Sequence, residues 1–257
     1  MRIGAYQFAV SGDIPKNLAA ITAGIREAAA QEADVLIFPE CALTGYPPRD
    51  IASAAEVDFD ALEDAIGALK QLVSAYGIAI VVGTVEWKKD RYYNSALVLF
   101  PDGSTQSYAK RSLWGWDSEN FCPGEATGIF AYKGLKFGIR ICYEVRFPEY
   151  FRELYAAGAD VNLVLFYDIS DCADPGRYDL IRSHIRTRAA ENICYTLSVN
   201  SCGGHQTAPS GFYDRSGRVV RELEAGKDGL LVCGIEDKAL DFSELVRKKF
   251  IDALIRK

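Results

Sequence analysis

Three polar side chains stand at the ends of apolar segments, where packing can hold them in place: Glu40, Lys110 and Cys142. A free thiol has a pKa of about 8.5, so at neutral pH it needs a base before it can act as a nucleophile. A carboxylate can supply that base, and a fixed ammonium can stabilise the charge that attack places on an amide oxygen. These residue types predict Cys142 as nucleophile, Glu40 as general base, and Lys110 with the Tyr143 amide as oxyanion donors.

Each of these residues also has a plainer interpretation, as a surface glutamate, a solvated lysine and a core cysteine. The scarcity of histidine favours the catalytic interpretation, because the chain holds only His184 and His205. Neither lies in a Cys-His or metal-binding pattern, and we expect both to be surface or structural residues. The general base is therefore expected to be a carboxylate.

The elements that must position these side chains alternate between strand and helix. Residues 2–10 predict a strand, residues 14–33 a helix, and VLIFPE (residues 35–40) a buried strand that ends at Glu40. Residues 58–76 have helical spacing, with Gly77 as the expected C-terminal cap. These segments predict the β-α-β start of an α/β fold.

Two hairpins carry the other two residues. One turns at Asp102 and Gly103 and brings Lys110 near the end of its second strand, and the next turns at Lys133 and Gly134 and closes at Cys142. The strand, cysteine, turn and helix that follow resemble a nucleophile elbow. Cys142 is therefore expected on a sharp turn.

The last third repeats the pattern: a helix over about 176–192, further strands, a hairpin turning at Ser216 and Gly217, and a final helix from about Ala239. No linker or repeat interrupts it. We interpret residues 1–257 as one domain of two β-sheets covered by helices.

Composition narrows the classes of function. The 257 residues are 49% hydrophobic with a formal net charge of −6, and their scattered Lys and Arg argue against nucleic-acid binding. No run reaches the roughly 18 apolar residues of a membrane span, and the N-terminus has no signal-peptide layout, which predicts a cytoplasmic protein. The seven cysteines include no CxxC pair. They therefore do not fit a disulfide framework, a zinc site or a thiol-redox motif.

Three sequence blocks carry a resemblance to a known family. FPECALTGY around Glu40, YAKRSLW around Lys110 and GIRICYEVRFPE around Cys142 resemble, in order and spacing, the signature blocks of the carbon–nitrogen hydrolase (nitrilase-like) superfamily. RTRAAENICYTLSVN and SGFYDRSGRVV are similar to its later segments, so the similarity extends over nearly the whole chain. The resemblance implies a four-layer αββα sandwich and association into homodimers or larger homo-oligomers.

The resemblance also implies the reaction. A Glu-Lys-Cys set without metal or cofactor would form a thioester from a small linear amide, release ammonia or an amine, and hydrolyse the thioester with water activated at Glu40. Many members have a second glutamate beside the lysine, and in WDSENFCPG that position corresponds to Glu119. Asp117 is the alternative second carboxylate, and a solvated loop carboxylate is the plainer interpretation of Glu119.

Further residues are candidates for the substrate pocket. Tyr46 follows the base and is either a pocket wall or a packed turn aromatic. Arg146 either pairs with Glu144 or Glu149 or binds a substrate carboxylate as a bidentate fork, and the ion pair is favoured. Phe166 and Tyr167 occupy a position where the family shapes specificity. Trp114 and Trp116 are expected to form a lid or simply to pack.

Substrate class stays open at this level. A monoamide of a dicarboxylic acid or an N-carbamoyl compound is favoured over a nitrile. Because TGYPPRD is similar to the glutamine-hydrolysing domain of glutamine-dependent NAD synthetases, a glutaminase that passes ammonia to a partner is the second hypothesis. A non-catalytic scaffold is the third, and the presence of all three catalytic residue types argues against it.

Overall fold

Strands and helices alternate over residues 1–236 and 239–255, which the computed structural model describes. The strands are β1 (Arg2–Gln7), β2 (Val35–Ile37), β3 (Ala79–Lys88), β4 (Arg91–Leu99), β5 (Thr105–Ala109), β6 (Ile129–Tyr132), β7 (Leu135–Ile141), β8 (Val161–Phe166), β9 (Ile169–Ser170), β10 (Tyr195–Asn200), β11 (His205–Gln206), β12 (Gly211–Tyr213), β13 (Val219–Glu222) and β14 (Gly229–Gly234). The helices are α1 (Ile14–Ala30), α2 (Phe59–Tyr76), α3 (Asp117–Asn120), α4 (Pro148–Ala156), α5 (Pro175–Asn192) and α6 (Phe242–Ile255).

Two mixed sheets form the centre of the molecule. The first has the strand order β14-β1-β2-β3-β4-β5 and the second β13-β12-β10-β8-β7-β6. In the first, β1, β2 and β3 run parallel, and in the second β7, β8 and β10 run parallel. The strands that precede Glu40 and Cys142 are therefore inner strands, whose ends are held by neighbours on both sides.

The core lies in three layers between and outside the sheets. Side chains of both sheets, such as Ile37 and Val81 from the first and Ile139 and Leu163 from the second, form one apolar cluster between them. A second cluster joins the first sheet to α1 and α2, and a third joins the second sheet to α4 and α5. This arrangement is the αββα sandwich that the resemblance implied.

Local signals explain where the outer helices start and stop. Asp13 and Asp58 cap α1 and α2 by accepting from the backbone N–H groups of Lys16 and Ala61. Gly77 ends α2 at a φ of 66°, in the left-handed region that glycine adopts without a Cβ penalty. The predicted cap at Gly77 is confirmed.

The structure departs from the prediction in three places. The strand predicted over residues 35–40 ends at Ile37, because Pro39 has no N–H to donate and Cys41 turns the chain at a φ of 51°. Strands β9 and β11 form a small separate sheet that the sequence pattern did not predict. The last helix begins at Phe242 rather than at about Ala239. Among the described residues no helix is long and apolar enough to cross a membrane.

Candidate active site

Glu40 lies in the turn after β2, with 1% of its surface exposed. Its Oε1 accepts from Lys110 Nζ at 2.8 Å and Asn94 Nδ2 at 2.7 Å, and its Oε2 accepts from the Tyr167 N–H at 2.9 Å. The turn packs closely on β3, where a Cβ at Gly83 would lie 2.2 Å from the Pro39 carbonyl oxygen. Glycine at that position therefore lets the backbone bring the Glu40 carboxylate into the interior.

Lys110 directly follows β5 and is also 1% exposed. Its backbone N–H donates to the Asn94 carbonyl, and its Nζ donates to Glu40 and, at 2.6 Å, to Asp117 Oδ2. Gly124 packs against this strand end and donates its N–H to the Lys110 carbonyl. The ammonium is thus fixed between two carboxylates rather than free to rotate in solvent.

The second carboxylate at Lys110 is Asp117, and the prediction that Glu119 lies beside the lysine is wrong. Asp117 is fully buried and accepts from Lys110 and from Tyr46 Oη at 2.8 Å, whereas Glu119 is exposed. Both residues belong to the single turn α3. Positions two apart on a helix point about 200° away from each other, so only one of them can face Lys110.

Cys142 ends β7 and begins a 3₁₀ turn that runs from Cys142 to Arg146. Its φ of 45° is in the left-handed region, and α4 follows at Pro148. A strained residue between a strand and a helix presents its side chain outward from the strand end, as in a nucleophile elbow. Tyr143, whose amide is the predicted oxyanion donor, is the next residue of the turn.

Glu144 connects the end of β7, before Cys142, to the end of β5, before Lys110. Its buried carboxylate accepts from the Ile141 N–H at 2.7 Å, directly before Cys142, and from the Arg111 N–H at 2.7 Å, directly after Lys110. Tyr108 Oη donates to the same carboxylate at 2.7 Å. One side chain therefore sets the backbone position of both the nucleophile and the ammonium.

We call Glu40, Lys110, Asp117 and Cys142 the reaction centre.

Burial and neighbouring charges shift the pKa values of this centre. Burial, together with the charge of Asp117, raises the pKa of Glu40 despite its pairing with Lys110. Burial lowers the pKa of Lys110, but the two carboxylates more than compensate and raise it well above its ordinary value. Burial and then Glu40 raise the pKa of the Cys142 thiol well above its ordinary value. The resting centre therefore holds a neutral thiol and an ammonium.

This charge state suits a coupled proton transfer. Two carboxylates face one ammonium, so a thiolate would add a further negative charge to a buried site. If the thiol proton passes to Glu40 as sulfur attacks a carbonyl, the negative charge moves from Glu40 to the carbonyl oxygen and the total charge is unchanged. Lys110 is already in place to stabilise it without reorganisation.

A cavity of about 510 Å³ opens onto Cys142 and Lys110. Tyr46 and Tyr167 form one wall, stacked with their ring centroids 4.9 Å apart. Tyr46 donates to Asp117, and Tyr167 Oη donates to Asp50 at 2.9 Å, so both rings are held by hydrogen bonds as well as by packing. Both pocket predictions for these tyrosines agree with their position.

Other predicted pocket residues divide into two groups. Tyr143, Arg146, Trp114 and Trp116 line the cavity, and the two exposed tryptophans meet edge to face at 5.5 Å. Phe166 does not line it, and its prediction is corrected: its side chain packs in the core between the second sheet, α4 and α5. Side chains alternate along a strand, so when Tyr167 faces the cavity its neighbour Phe166 faces the other way.

Arg146 was expected to pair with Glu144 or Glu149, and that expectation is wrong. Glu144 is occupied by backbone N–H groups and Tyr108, and within residues 1–236 and 239–255 no carboxylate lies within ion-pair distance of Arg146. The guanidinium lies 5.9 Å from the centre of the Tyr143 ring, at the cavity wall. Its charge is therefore available to a ligand.

The remaining charges at the cavity are paired across its wall. Arg177 donates to Asp168 Oδ1 at 2.6 Å, and Arg49 donates to Asp171. We call the group formed by Arg146 and these two pairs the charged wall. A larger surface cavity of about 860 Å³ beside α6 holds none of the predicted site residues, and neither histidine lines the cavity at Cys142.

Sequence reasoning missed three residues that the structure brings to the site. Asn94 holds Glu40 and contacts Lys110 through its backbone, Glu144 joins the two strand ends, and Asp168 lines the cavity. Asn94 and Asp168 do carry a signal, since each is a polar residue at or beside an apolar strand. That signal does not tell which other strand faces them. Among the described residues no cluster of metal-binding side chains occurs.

Comparisons with known proteins agree with this fold. The family model for carbon-nitrogen hydrolase matches residues 2–240. An (R)-stereoselective amidase of Pseudomonas sp. is 32% identical over 223 residues, which are 84% of this chain and 77% of that protein. The 2-oxoglutaramate amidase of Bacillus subtilis is 32% identical over 204 residues, 76% of each chain.

A solved amidase from Nesterenkonia sp. AN1 superposes with a TM-score of 0.81 at 27% identity, covering 97% of this chain and 99% of that one. In that structure, of a glutamate-to-glutamine variant, acrylamide is joined to the active-site cysteine. A cysteine-to-alanine variant of the same enzyme binds butyramide.

The four-layer sandwich and the cysteine at its strand ends define a thiol hydrolase that acts on amides. The chain belongs to the carbon–nitrogen hydrolase family, within the nitrilase superfamily.

Proposed function

We propose that this hydrolase cleaves the amide of a small linear monoamide whose other end carries a carboxylate. Cys142 attacks the amide carbon while Glu40 takes the thiol proton, and Lys110 with the Tyr143 amide stabilises the oxyanion. The proton returns from Glu40 to the leaving nitrogen, ammonia departs, and Glu40 activates the water that hydrolyses the thioester. Asp117 keeps Lys110 protonated and in place.

The unpaired guanidinium of Arg146 is the observation that carries the choice of substrate. It lies on the wall of the same cavity that opens onto Cys142, and it presents a planar fork of N–H donors that matches a carboxylate. The other two arginines of the charged wall are already paired with aspartates, so the wall has one surplus positive charge. The substrate named for the similar Bacillus subtilis 2-oxoglutaramate amidase has an amide at one end and a carboxylate at the other, and this supports those two features of the proposed substrate.

The test compares ammonia release from glutaric monoamide and from butyramide, which differ in the terminal carboxylate. We expect kcat/KM to be about ten- to a hundredfold higher for glutaric monoamide, the range expected for one hydrogen-bonded charge. Arg146→Gln should remove that preference through KM. Arg152→Gln, on α4 and outside the cavity, is the matched control and should keep it.

Turnover that persists in Cys142→Ala would overturn the nucleophile assignment. Equal kcat/KM values for the two amides in the wild-type protein would overturn the carboxylate assignment while leaving the amidase chemistry in place.

We also propose that the protein forms a homodimer or larger homo-oligomer through α6. Phe242, Val246, Phe250 and Leu254 recur every fourth residue on this helix and are 38–83% exposed. An apolar stripe of this kind on a helix surface is typical of an interface, and a second copy presents the same stripe. Phe250→Glu should lower the molar mass measured by analytical ultracentrifugation. An unchanged mass, whether monomeric or oligomeric, would contradict the assignment.

We infer a cytoplasmic location and one hydrolase domain over residues 1–257. The cysteines support the location, since Cys41, Cys122, Cys142, Cys172, Cys194, Cys202 and Cys233 are all free. Free thiols are typical of a reducing compartment. The match of the family model to residues 2–240 supports the single domain.

A further inference from the structure

Asp168 is a buried carboxylate on the cavity wall that the proposed reaction does not use. It lies just beyond β8, is 6% exposed, and lines the cavity together with Cys142. Its backbone is held on both sides by Asn200, whose Oδ1 accepts from the Asp168 N–H and whose Nδ2 donates to the Asp168 carbonyl, each at 2.8 Å. The position of the side chain is therefore well defined.

Among the described residues, only Oδ1 of the Asp168 carboxylate has hydrogen-bond partners. Oδ1 accepts from Arg177 at 2.6 Å and from Thr207 Oγ1 at 2.7 Å. In the part of the chain that the structure describes, Oδ2 has no hydrogen-bond partner. A carboxylate offers about four lone-pair sites, so Oδ2 can accept hydrogen bonds from a donor in the cavity. Because Asp168 borders the cavity, a ligand can supply the missing donor.

We propose that Asp168 Oδ2 binds the ammonium group of the substrate, so that the cavity accepts a zwitterionic amino acid that carries a side-chain amide. This inference rests on the proposed function, because Arg146 would bind the carboxylate of the same molecule. An ionised carboxylate only accepts hydrogen bonds, so its partner must be a donor. Arg146 and Asp168 thus present the two opposite charges that an amino acid requires.

The same argument disfavours an α-keto acid amide. A keto oxygen is an acceptor, as Asp168 Oδ2 is, so the two would repel each other where an ammonium would bind. The pairing of Asp168 with Arg177 does not remove this preference, because Arg177 occupies Oδ1 and its side chain is 39% exposed to screening solvent. The site therefore distinguishes an amino group from a keto group at the carbon next to the carboxylate.

Four amides of related structure separate the two charge contributions. Butyramide carries neither charge, glutaric monoamide the carboxylate, γ-aminobutyramide the ammonium, and glutamine both. With the wild-type protein we expect glutamine to exceed glutaric monoamide in kcat/KM by about tenfold or more, as for a charged hydrogen bond. Dissociation constants measured with Cys142→Ala, by calorimetry, should rank the amides in the same order.

Asp168→Asn tests the residue directly. Asparagine keeps an acceptor for Arg177 and Thr207 but turns an amide N–H towards the cavity, so the ratio of glutamine to glutaric monoamide should fall by about tenfold. The same variant should gain on the α-keto analogue of glutamine relative to glutamine. Asp179→Asn removes an equal charge from an exposed position of α5 outside the cavity and should keep the wild-type ratio.

The outcomes distinguish the two proposals. A preference for glutaric monoamide over butyramide, without a further gain for glutamine, would overturn the Asp168 inference alone. If the carboxylate itself gives no preference, the proposed substrate class fails. If the ratio of glutamine to glutaric monoamide in kcat/KM stays unchanged in Asp168→Asn, another group binds the ammonium and this site is refuted.

Discussion

Two adjoining regions of the cavity use charge in different ways. In the reaction centre Lys110 is 1% exposed and touches both carboxylates, so every charge there has a partner before substrate arrives. In the charged wall Arg146 has no carboxylate partner within the described residues, and Asp168 has one oxygen without a donor. Catalysis requires groups that are already oriented, whereas recognition requires groups whose partner is the ligand itself.

The largest effect should come from breaking the pairing of the reaction centre. Lys110→Met removes the proposed oxyanion donor and should lower kcat by at least about 10²–10³-fold. It also leaves two buried carboxylates facing each other, which should destabilise the fold by about 3–5 kcal/mol in denaturant titrations. Lys133→Met, which removes a half-exposed lysine paired with Asp34, is the control and should cost less than about 1 kcal/mol.

The pH dependence of that variant sharpens the test. Without Lys110, Glu40 loses the lowering influence of the ammonium but keeps the burial and the Asp117 charge that raise its pKa, opposed by the weaker lowering effect of the Asn94 hydrogen bond. Its folded-state pKa then exceeds its unfolded value, so the folded state binds more protons and the free energy of unfolding should fall as pH rises through this range. Stability that increases with pH would contradict the buried, coupled centre.

A smaller effect is expected from loosening the support of the centre. Glu144→Gln replaces one of the two carboxylate oxygens by an NH2 group, which donates and cannot accept. Because the Ile141 and Arg111 N–H groups bind different oxygens, one of these two hydrogen bonds is lost. The strand ends should shift relative to each other, so kcat should fall about tenfold while KM changes little. Glu153→Gln, at a carboxylate that pairs with Arg111 and Arg140, is the control. An equal loss in both variants would point to a general effect on stability.

A further test concerns the acid side of the activity profile. Glu40 must be ionised to accept the thiol proton, so kcat/KM should fall as pH drops through its raised pKa. Asp117→Asn removes a negative charge that contributes to this raised value. The acid limb of the profile should therefore move to lower pH, even if the maximum rate falls. A shift towards higher pH would show that Asp117 does not act on Glu40 in this way.

The smallest effect is expected at the exposed edge of the charged wall. Asp171 is 92% exposed, and exposed ion pairs contribute about 0–1 kcal/mol. Asp171→Asn should therefore shift the melting temperature only slightly, with less than about a twofold change in the unfolding equilibrium constant. It should also change kcat/KM for glutaric monoamide by less than about twofold. A loss as large as that of Arg146→Gln would mean that the whole wall, rather than its unpaired groups, recognises the substrate.

Local sequence patterns were enough to predict the alternation of elements, both hairpins next to the site and the family. Apolar periodicity, turn residues and the blocks around Glu40, Lys110 and Cys142 are local properties, and each can be read without knowing its neighbours in space. The αββα sandwich was predicted from these blocks and is confirmed by the two sheets and their helices.

Which side chains face the site depends on how the elements pack against one another, and no local sequence pattern predicts it. Asp117 and Glu119 stand two positions apart in one helical turn, and Phe166 and Tyr167 are neighbours at a strand end. A rotation of the helix or a shift of the strand by one residue would exchange their roles, and the packing of other elements sets both. The partners of Arg146 and Asp168 were likewise undetermined, because charged residues far apart in sequence compete for the same contacts and only the fold shows which remain unpaired.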